Sequence, residues 1–192
     1  MPVQAATEMY TLTQVAERSS VNRPRGAPVW KNIKVNRDVY REMLTDNVLP
    51  AVACNWPTAE WNDDNRIIKV QQDGASCHLD VNKGDDIFDG ALEDLGLQQK
   101  IKLITQPANS PDTNINDLGF FNSLDAKYYL ESPTTALEII EMVTKAFDQY
   151  DSATLNKIWL THQTCMNEII KYDGDNTYKI PHMNKDQLIV SC

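Results

Sequence analysis

Two short runs of apolar, β-favouring residues constrain the fold most, because each ends in a polar turn and an amphipathic segment lies between them. The first predicted strand runs from Arg66 to Gln72, and the second runs from Ile101 to Thr105. The segment between them predicts a helix that stops at Gly96. The apolar face of that helix is formed by Ile87, Ala91, Leu92 and Leu95. Strands that alternate with helices in this way predict an α/β protein.

Further helices are predicted on both sides of this segment. Asn36 is a plausible N-cap, Ser132-Pro133 reads as a helix start, and Ser152 starts the last helix. His162 falls on the apolar face of that last helix. At such a position we expect a hydrogen-bonded core histidine rather than a metal ligand or a base.

The first 35 residues read as an irregular segment with possible strands. Trp30 to Val35 is a possible third strand, and two or three strands make a small sheet for 192 residues. Other strands therefore lie unrecognised in this segment or are missing. Residues 22–28, Asn-Arg-Pro-Arg-Gly-Ala-Pro, predict a basic loop. A solvated linker is the simpler interpretation of this loop, and an arm that contacts DNA is the alternative.

Composition and charge disfavour several classes of protein. The net charge is −9 and the pI is about 4.7, so the chain as a whole is a poor electrostatic partner for nucleic acid. The four cysteines are scattered without CxxC or zinc-like spacing, which predicts free thiols in a reducing compartment. No apolar run approaches the ~20 residues that a membrane span needs. The N-terminus has no signal-peptide core, so the sequence predicts a soluble, intracellular protein without a membrane partner.

Asp73 stands directly after the first predicted strand, in the stretch VQQDGASCHL. Asp-Gly is turn chemistry, because Gly adopts positive φ without strain and Asp bonds its own backbone. A carboxylate at the carboxyl end of a buried strand is also a common way to aim charge at a substrate. Both interpretations stay open on this stretch alone. The acidic stretch from Gly84 to Gly96 lacks the EF-hand pattern and predicts a solvated acidic face.

Residues 105–121, TQPANSPDTNINDLGFF, resemble a signature of mariner-type DDE transposases related to those of plants and oomycetes. Members of that family carry Gln-Pro-Pro-Asn-Ser-Pro-Asp running into Leu-Asp-Leu-Gly-Phe-Phe. Their other signature, Gln-Gln-Asp-Asn-Ala followed closely by His, resembles residues 71–78. The segments 22–26, 39–44, 155–161 and 176–183 agree as well, so the resemblance extends from about Asn22 to Leu188.

The resemblance implies a partial ribonuclease-H-like (DDE transposase/integrase) fold with C-terminal helices. It implies a nuclear protein of DNA transposition that cleaves and transfers DNA strands at transposon ends with Mg²⁺ or Mn²⁺. By motif position, Asp73 matches the second catalytic, metal-binding carboxylate of the family and Asp117 the third. Asp117 is expected at the start of a helix. Asp112 is expected to close a turn by bonding backbone amides rather than to bind metal.

The chain departs from the family pattern at its first carboxylate. The family carries that aspartate well before the segment that matches Asn22, and here no aspartate precedes Asn22. Glu8 and Glu168 are weaker candidates to join Asp73 and Asp117 as a third metal ligand. We therefore expect residues 36–192 to be a truncated catalytic domain that lacks the DNA-binding region and is inactive as an isolated chain. The alternative is a non-enzymatic remnant that associates with itself, with a full-length transposase or with another protein.

Overall fold

The computed structural model describes residues 11–21, 23–56, 66–128 and 133–180 of the 192-residue chain. Contacts divide the chain into two compact units, Met1–Thr105 and Gln106–Cys192. The protein is mixed α/β with small sheets, as the alternation of strands and helices predicts. The domain boundary at residue 36 stays a sequence-based prediction. Within the described ranges, no helix combines the length and apolar character that crossing a membrane requires.

The first unit begins with an antiparallel hairpin of β1 (Thr11–Val15) and β2 (Pro28–Asn32). The register pairs Thr11 with Asn32 and Val15 with Pro28. The possible strand at Trp30–Val35 is thus shifted towards the N-terminus, because pairing with β1 sets its limits. Residues 23–27 of the stretch interpreted as a linker belong to the hairpin connection, which is closed by the Ala16 N–H donating to the Ala27 carbonyl at 2.9 Å.

A helical segment follows from Arg37 to Asn55, with a π-helical turn at its centre. It consists of α1 (Arg37–Met43), the π turn (Leu44–Val48) and α2 (Leu49–Asn55). Asn36 caps it as predicted, since its Oδ1 accepts from the Val39 N–H at 3.0 Å. The π turn ends two residues before Pro50, which lacks an N–H and crowds the carbonyl four residues back, within the turn. The wider turn accommodates the proline inside a continuous helix.

The central part of the first unit is a βαβ segment. Strands β3 (Ile68–Gln72) and β4 (Ile101–Thr105) pair in parallel, with Gln72 opposite Thr105, and α3 (Asp86–Asp94) connects them. The predicted strands are confirmed, the first with a start two residues later. Because the strands are parallel, both carboxyl ends lie at the same edge of this sheet. A core cluster in this unit comprises Leu44, Leu49, Leu79, Phe88, Leu92, Leu97 and Ile101.

Helix α3 has its predicted end but not its predicted face. Gly96 adopts φ +67°, and the Leu97 N–H donates to the Leu92 carbonyl at 2.8 Å, which closes the helix. Phe88 and Leu92 are buried, whereas Ile87 is 61% exposed. The sequence-based face therefore put Ile87 in the core in place of Phe88. The Phe88 ring, one position after Ile87, packs in the core cluster instead.

The second unit is helical in its described parts. A 3₁₀ turn (Pro111–Thr113) and a π-helical turn (Asn116–Phe120) lead into α4 (Phe121–Tyr128). Helices α5 (Ala136–Asp148) and α6 (Ser152–Lys171) follow. Among the described residues of this unit, the buried apolar side chains are those of Leu124, Ala146, Ile158 and Cys165. The predicted start of the last helix at Ser152 is confirmed, with Asp151 as its N-cap.

Helix α5 begins three residues later than the Ser132-Pro133 pattern predicts. Thr135 is its N-cap, and Thr135 and Glu138 form a reciprocal capping box. Glu138 Oε2 accepts from the Thr134 N–H at 2.7 Å and from the Thr135 N–H at 3.1 Å. The backbone N–H of Thr134 is the largest cause that lowers the pKa of Glu138 below its usual value. The box therefore fixes the start of the helix more strongly than the upstream proline does.

Candidate functional site

Asp73 is the first residue after β3, at the carboxyl end of the parallel pair. Its Oδ1 accepts a hydrogen bond from the Ala75 N–H at 2.8 Å, which closes a turn. The side chain is half exposed, with 50% of its surface open to solvent. The turn interpretation and the strand-end interpretation are therefore compatible, because the same carboxylate closes a turn and stays accessible.

His78 packs against this carboxylate from within the same turn. Its Nδ1 lies 2.8 Å from Asp73 Oδ1 and 3.0 Å from the Asp73 carbonyl oxygen. The imidazole lies against the ring of Tyr40, with the ring centroids 4.2 Å apart. The Tyr40 hydroxyl in turn donates to Oε1 of the buried Gln72 at 3.2 Å. Helix α1 and the end of β3 thus jointly fix the imidazole that contacts Asp73.

Asp117 lies in the first turn of the helical segment that continues into α4, as predicted. Its Oδ2 accepts from the Asn114 side-chain Nδ2 at 3.0 Å. The same nitrogen donates to Gln106 Oε1 at 2.9 Å, and the Asn114 Oδ1 accepts from the Asn116 N–H at 3.0 Å. The side chain of Asn114 therefore fixes both the start of the helix and the orientation of the carboxylate.

Asp112 has a different partner from the one that the sequence suggested. The hydrogen bond that the structure gives its carboxylate comes from the Tyr178 hydroxyl, not from backbone amides. The turn itself is closed by Thr113, whose hydroxyl donates to the Ser110 carbonyl at 2.7 Å. Asn176 Nδ2 also donates to the Asn109 carbonyl at 3.1 Å. Asp112 thus connects the turn to the segment after α6.

His162 is hydrogen-bonded, as the sequence predicts, but it is partly buried rather than part of the core. Its Nε2 lies 3.2 Å from the Thr113 carbonyl oxygen. The ring of Trp159 meets it edge-on, with centroids 5.6 Å apart. His162 therefore holds the Pro111–Thr113 turn against α6.

Most carboxylates in the stretch from Gly84 to Gly96 are exposed, as predicted, whereas Asp85 and the neighbouring Asp80 are partly buried and have structural partners. Asp85 caps α3 through the Phe88 N–H at 3.0 Å and pairs with Arg41 Nε at 2.8 Å. That pairing with Asp85 is the largest cause that raises the pKa of Arg41. Asp80 accepts from the Asn82 N–H, which is the main reason that its pKa is lowered, and also pairs with Lys83. The hydrogen bonds and ion pairs of Asp85 and Asp80 therefore give both carboxylates a structural role.

Asp73 and Asp117 offer the type of donor atom that Mg²⁺ or Mn²⁺ binds, but they are fewer than the ligands that such a centre needs. Carboxylate oxygens are the ligands that these hard cations prefer. Among the residues that the structure describes, however, no three His, Cys, Asp or Glu side chains form a group that could hold a metal. Asp73 belongs to the first unit and Asp117 to the second. Glu168 is paired with Lys171, and Glu8 lies outside the described residues.

Comparison with protein-family models, with curated proteins and with solved structures gives no match to this chain. Function is therefore inferred from the residues of this chain and from their local geometry. Sequence reasoning missed the roles of Asn114 and Tyr40. Asn114 stands in the motif region, where an Asn two residues before a helix is an available signal. Tyr40 gives no such signal, since its contact with His78 spans 38 positions of the chain.

Proposed function

We propose that the chain derives from the catalytic domain of a mariner-type DDE transposase. In this proposal Asp73 and Asp117 are the second and third carboxylates of a partial ribonuclease-H-like fold. The observation that carries the proposal is the position of Asp73, directly after a strand paired in parallel and half exposed at the carboxyl edge of the sheet. Ligand-binding groups in open α/β sheets lie at such edges. The position of Asp117 in the first turn of a helix is a second support.

The ancestral reaction in this proposal is cleavage and transfer of DNA strands in the nucleus. In a complete centre of this kind, the carboxylates would hold two divalent ions, which would supply activation of the attacking oxygen and stabilisation of the leaving oxygen. The residues of this chain supply two anionic groups held by Asn114 and by His78. A two-carboxylate set leaves the reacting atoms poorly positioned, and mispositioning alone costs on the order of 10²-fold in rate. The isolated chain is therefore proposed to be catalytically inactive.

Calorimetric titration of the full chain with Mn²⁺ tests the assignment of the two carboxylates. The variants are Asp73→Asn and Asp117→Asn, because an amide keeps the hydrogen-bond acceptor and removes the charge. Asp94→Asn and Asp148→Asn are matched controls, since both are exposed aspartates at helix ends. Micromolar binding that both site variants abolish, and that both controls retain, supports the proposal. Equal binding by all five proteins, or none by the wild type, rejects the metal-binding role.

A nuclease assay separates ancestry from present activity. Supercoiled plasmid is incubated with the chain and Mn²⁺, and nicking is followed on a gel. The proposal expects no nicking above that of the Asp73→Asn variant. Nicking by the wild type that Asp73→Asn removes would show a working active site and refute the proposed inactivity.

An apolar groove in the second unit favours the alternative, a protein-interaction role. The groove has a volume of about 360 Å³ and is lined by Ile115, Asn116, Phe120, Phe147, Tyr150, Ser152, Leu155 and Trp159. Phe147 is 51% exposed and Trp159 is 46% exposed. Exposed aromatic side chains of this kind are typical of binding surfaces. Light scattering of the wild type and of Phe147→Ser tests self-association, and a monomer for both at all concentrations counts against it.

A further inference from the structure

The connection between β1 and β2 exposes three arginines, Arg18, Arg23 and Arg25, which we call the arginine tip. Between Ala16 and Ala27 the sequence contains these three cations and one acidic residue, Glu17. Within the described part of the chain, none of the three guanidinium groups forms an ion pair or a side-chain hydrogen bond. The arginine tip therefore presents unneutralised positive charge to solvent.

The backbone of the arginine tip is fixed by hydrogen bonds. Ser20 and Arg23 form an antiparallel bridge, in which the Ser20 N–H donates to the Arg23 carbonyl at 2.7 Å. The Arg25 N–H donates to Ser19 Oγ at 3.0 Å, and the Gly26 N–H donates to the Ala16 carbonyl at 2.8 Å. Gly26 adopts φ +85°, a conformation that L side chains rarely take. The arginines thus project from an ordered turn, which lowers the entropic cost of binding.

The charge of this region is opposite to that of the whole chain. Seven of the 18 basic residues lie between Arg18 and Arg41, where the one acidic residue is Asp38. Of these cations, Arg41 is already paired with Asp38 and Asp85. The arginine tip lies in the connection beyond Val15 and Pro28, the pair that ends the hairpin register. A chain with a net charge of −9 therefore carries a localised site for an anion.

We propose that the arginine tip binds the phosphate backbone of double-stranded DNA without reading its sequence. Guanidinium groups bind phosphate oxygens in a planar, bidentate geometry, and contacts to phosphate fix register without base readout. The choice of DNA over the carboxylates of a second copy rests on the proposed transposase origin. The arginine tip extends the proposed function, because it gives the acidic chain a local site that holds DNA.

Fluorescence anisotropy of the full chain with a labelled random-sequence DNA duplex, in EDTA, tests this proposal. The variant replaces Arg18, Arg23 and Arg25 with Gln, and a second variant replaces all three with Lys. The matched control replaces the exposed Lys69, Lys102 and Lys179 with Gln, which changes the net charge equally. Each phosphate contact contributes about 0.9 to the slope of log K against log salt, so the Gln variant should have a slope shallower by about 2.7. The wild type should then lose about 40-fold more affinity than the Gln variant between about 50 and 200 mM salt.

The result expected is a flattened slope for the arginine-to-Gln variant, with the wild-type slope kept by the Lys variant and by the control. Equal flattening in the control variant would show a general charge effect and overturn the proposal. Absence of DNA binding by the wild type would overturn it too. If the wild type bound Mn²⁺ through Asp73 and Asp117 in the calorimetric test but did not bind DNA, the proposed transposase origin would stand and the role of the arginine tip would be rejected. A loss of self-association in the Gln variant without an effect on DNA would identify a second copy as the partner and reject DNA.

Discussion

Replacement of Asp73 by Asn and by Ala separates the turn role of this residue from its charge. The Asn side chain keeps an oxygen for the Ala75 N–H, whereas Ala removes both this bond and the side-chain contact with His78. A single intramolecular hydrogen bond contributes about 0.5–1.5 kcal/mol net, and the half-exposed position keeps the contribution of the charge small. We therefore expect Asp73→Ala to lower the free energy of unfolding by about 1–2 kcal/mol and Asp73→Asn by less than about 0.5 kcal/mol.

Urea unfolding, followed by circular dichroism at neutral pH, measures both differences. An unchanged m-value shows that the comparison concerns stability alone. A His78→Gln variant is the control for the imidazole, because Gln retains a donor without the ring that packs on Tyr40. If Asp73→Asn cost as much as Asp73→Ala, the carboxylate charge and not the turn would carry the stabilisation. That outcome would refute the reasoning from the Ala75 hydrogen bond.

Three further substitutions test the packing and capping of the two units. Leu49→Ala should cost about 2–5 kcal/mol in urea unfolding, because Leu49 is 1% exposed, whereas Leu95→Ala at 39% exposure should cost less than about 1 kcal/mol. Gly96→Ala should lower the melting temperature, since Gly96 holds φ +67°; an unchanged value would contradict the role of Gly96 in ending α3. The pKa of Glu138 is lower in the folded protein than its unfolded value near 4.5, so the ionised side chain stabilises the fold at pH values above about 4.5. This stabilisation is lost as the pH falls through the lower, folded-state pKa. Glu138→Gln should therefore show a smaller loss of stability on acidification, measured by thermal melts at neutral pH and near pH 3.

The sequence was informative where a structural signal is local. The strands around Val70 and Leu103, the cap at Asn36 and the stop at Gly96 each depend on a few neighbouring residues, and the structure confirms them. Strands were expected in the first 35 residues, but β1 itself was not located, because its limits are set by its pairing with β2. The start of α5 was available in principle, since Thr135 and Glu138 have capping-box spacing.

The candidate site shows the same division between local and distant information. The turn at Asp73 and the helical position of Asp117 follow from adjacent residues. The support of His78 by Tyr40 and the contact of Asp112 with Tyr178 join residues far apart in the chain. Such contacts depend on how elements pack, and a single sequence contains no direct record of packing. Asp112 illustrates the consequence, because its turn position was predicted and its actual partner was not.

The positive charge of this chain is concentrated locally and is not described by the net charge alone. A value of −9 indicates weak binding to nucleic acid only if the charge is spread evenly. Here carboxylates such as Asp85 and Asp151 are occupied in caps or pairs, whereas the arginine tip has no such partners among the described residues. Exposed charges farther apart than the Debye length of about 8–10 Å are largely screened at physiological salt. An approaching phosphate therefore responds mainly to the nearest unpaired guanidinium groups, and the acidic average of the chain does not exclude a DNA-binding role.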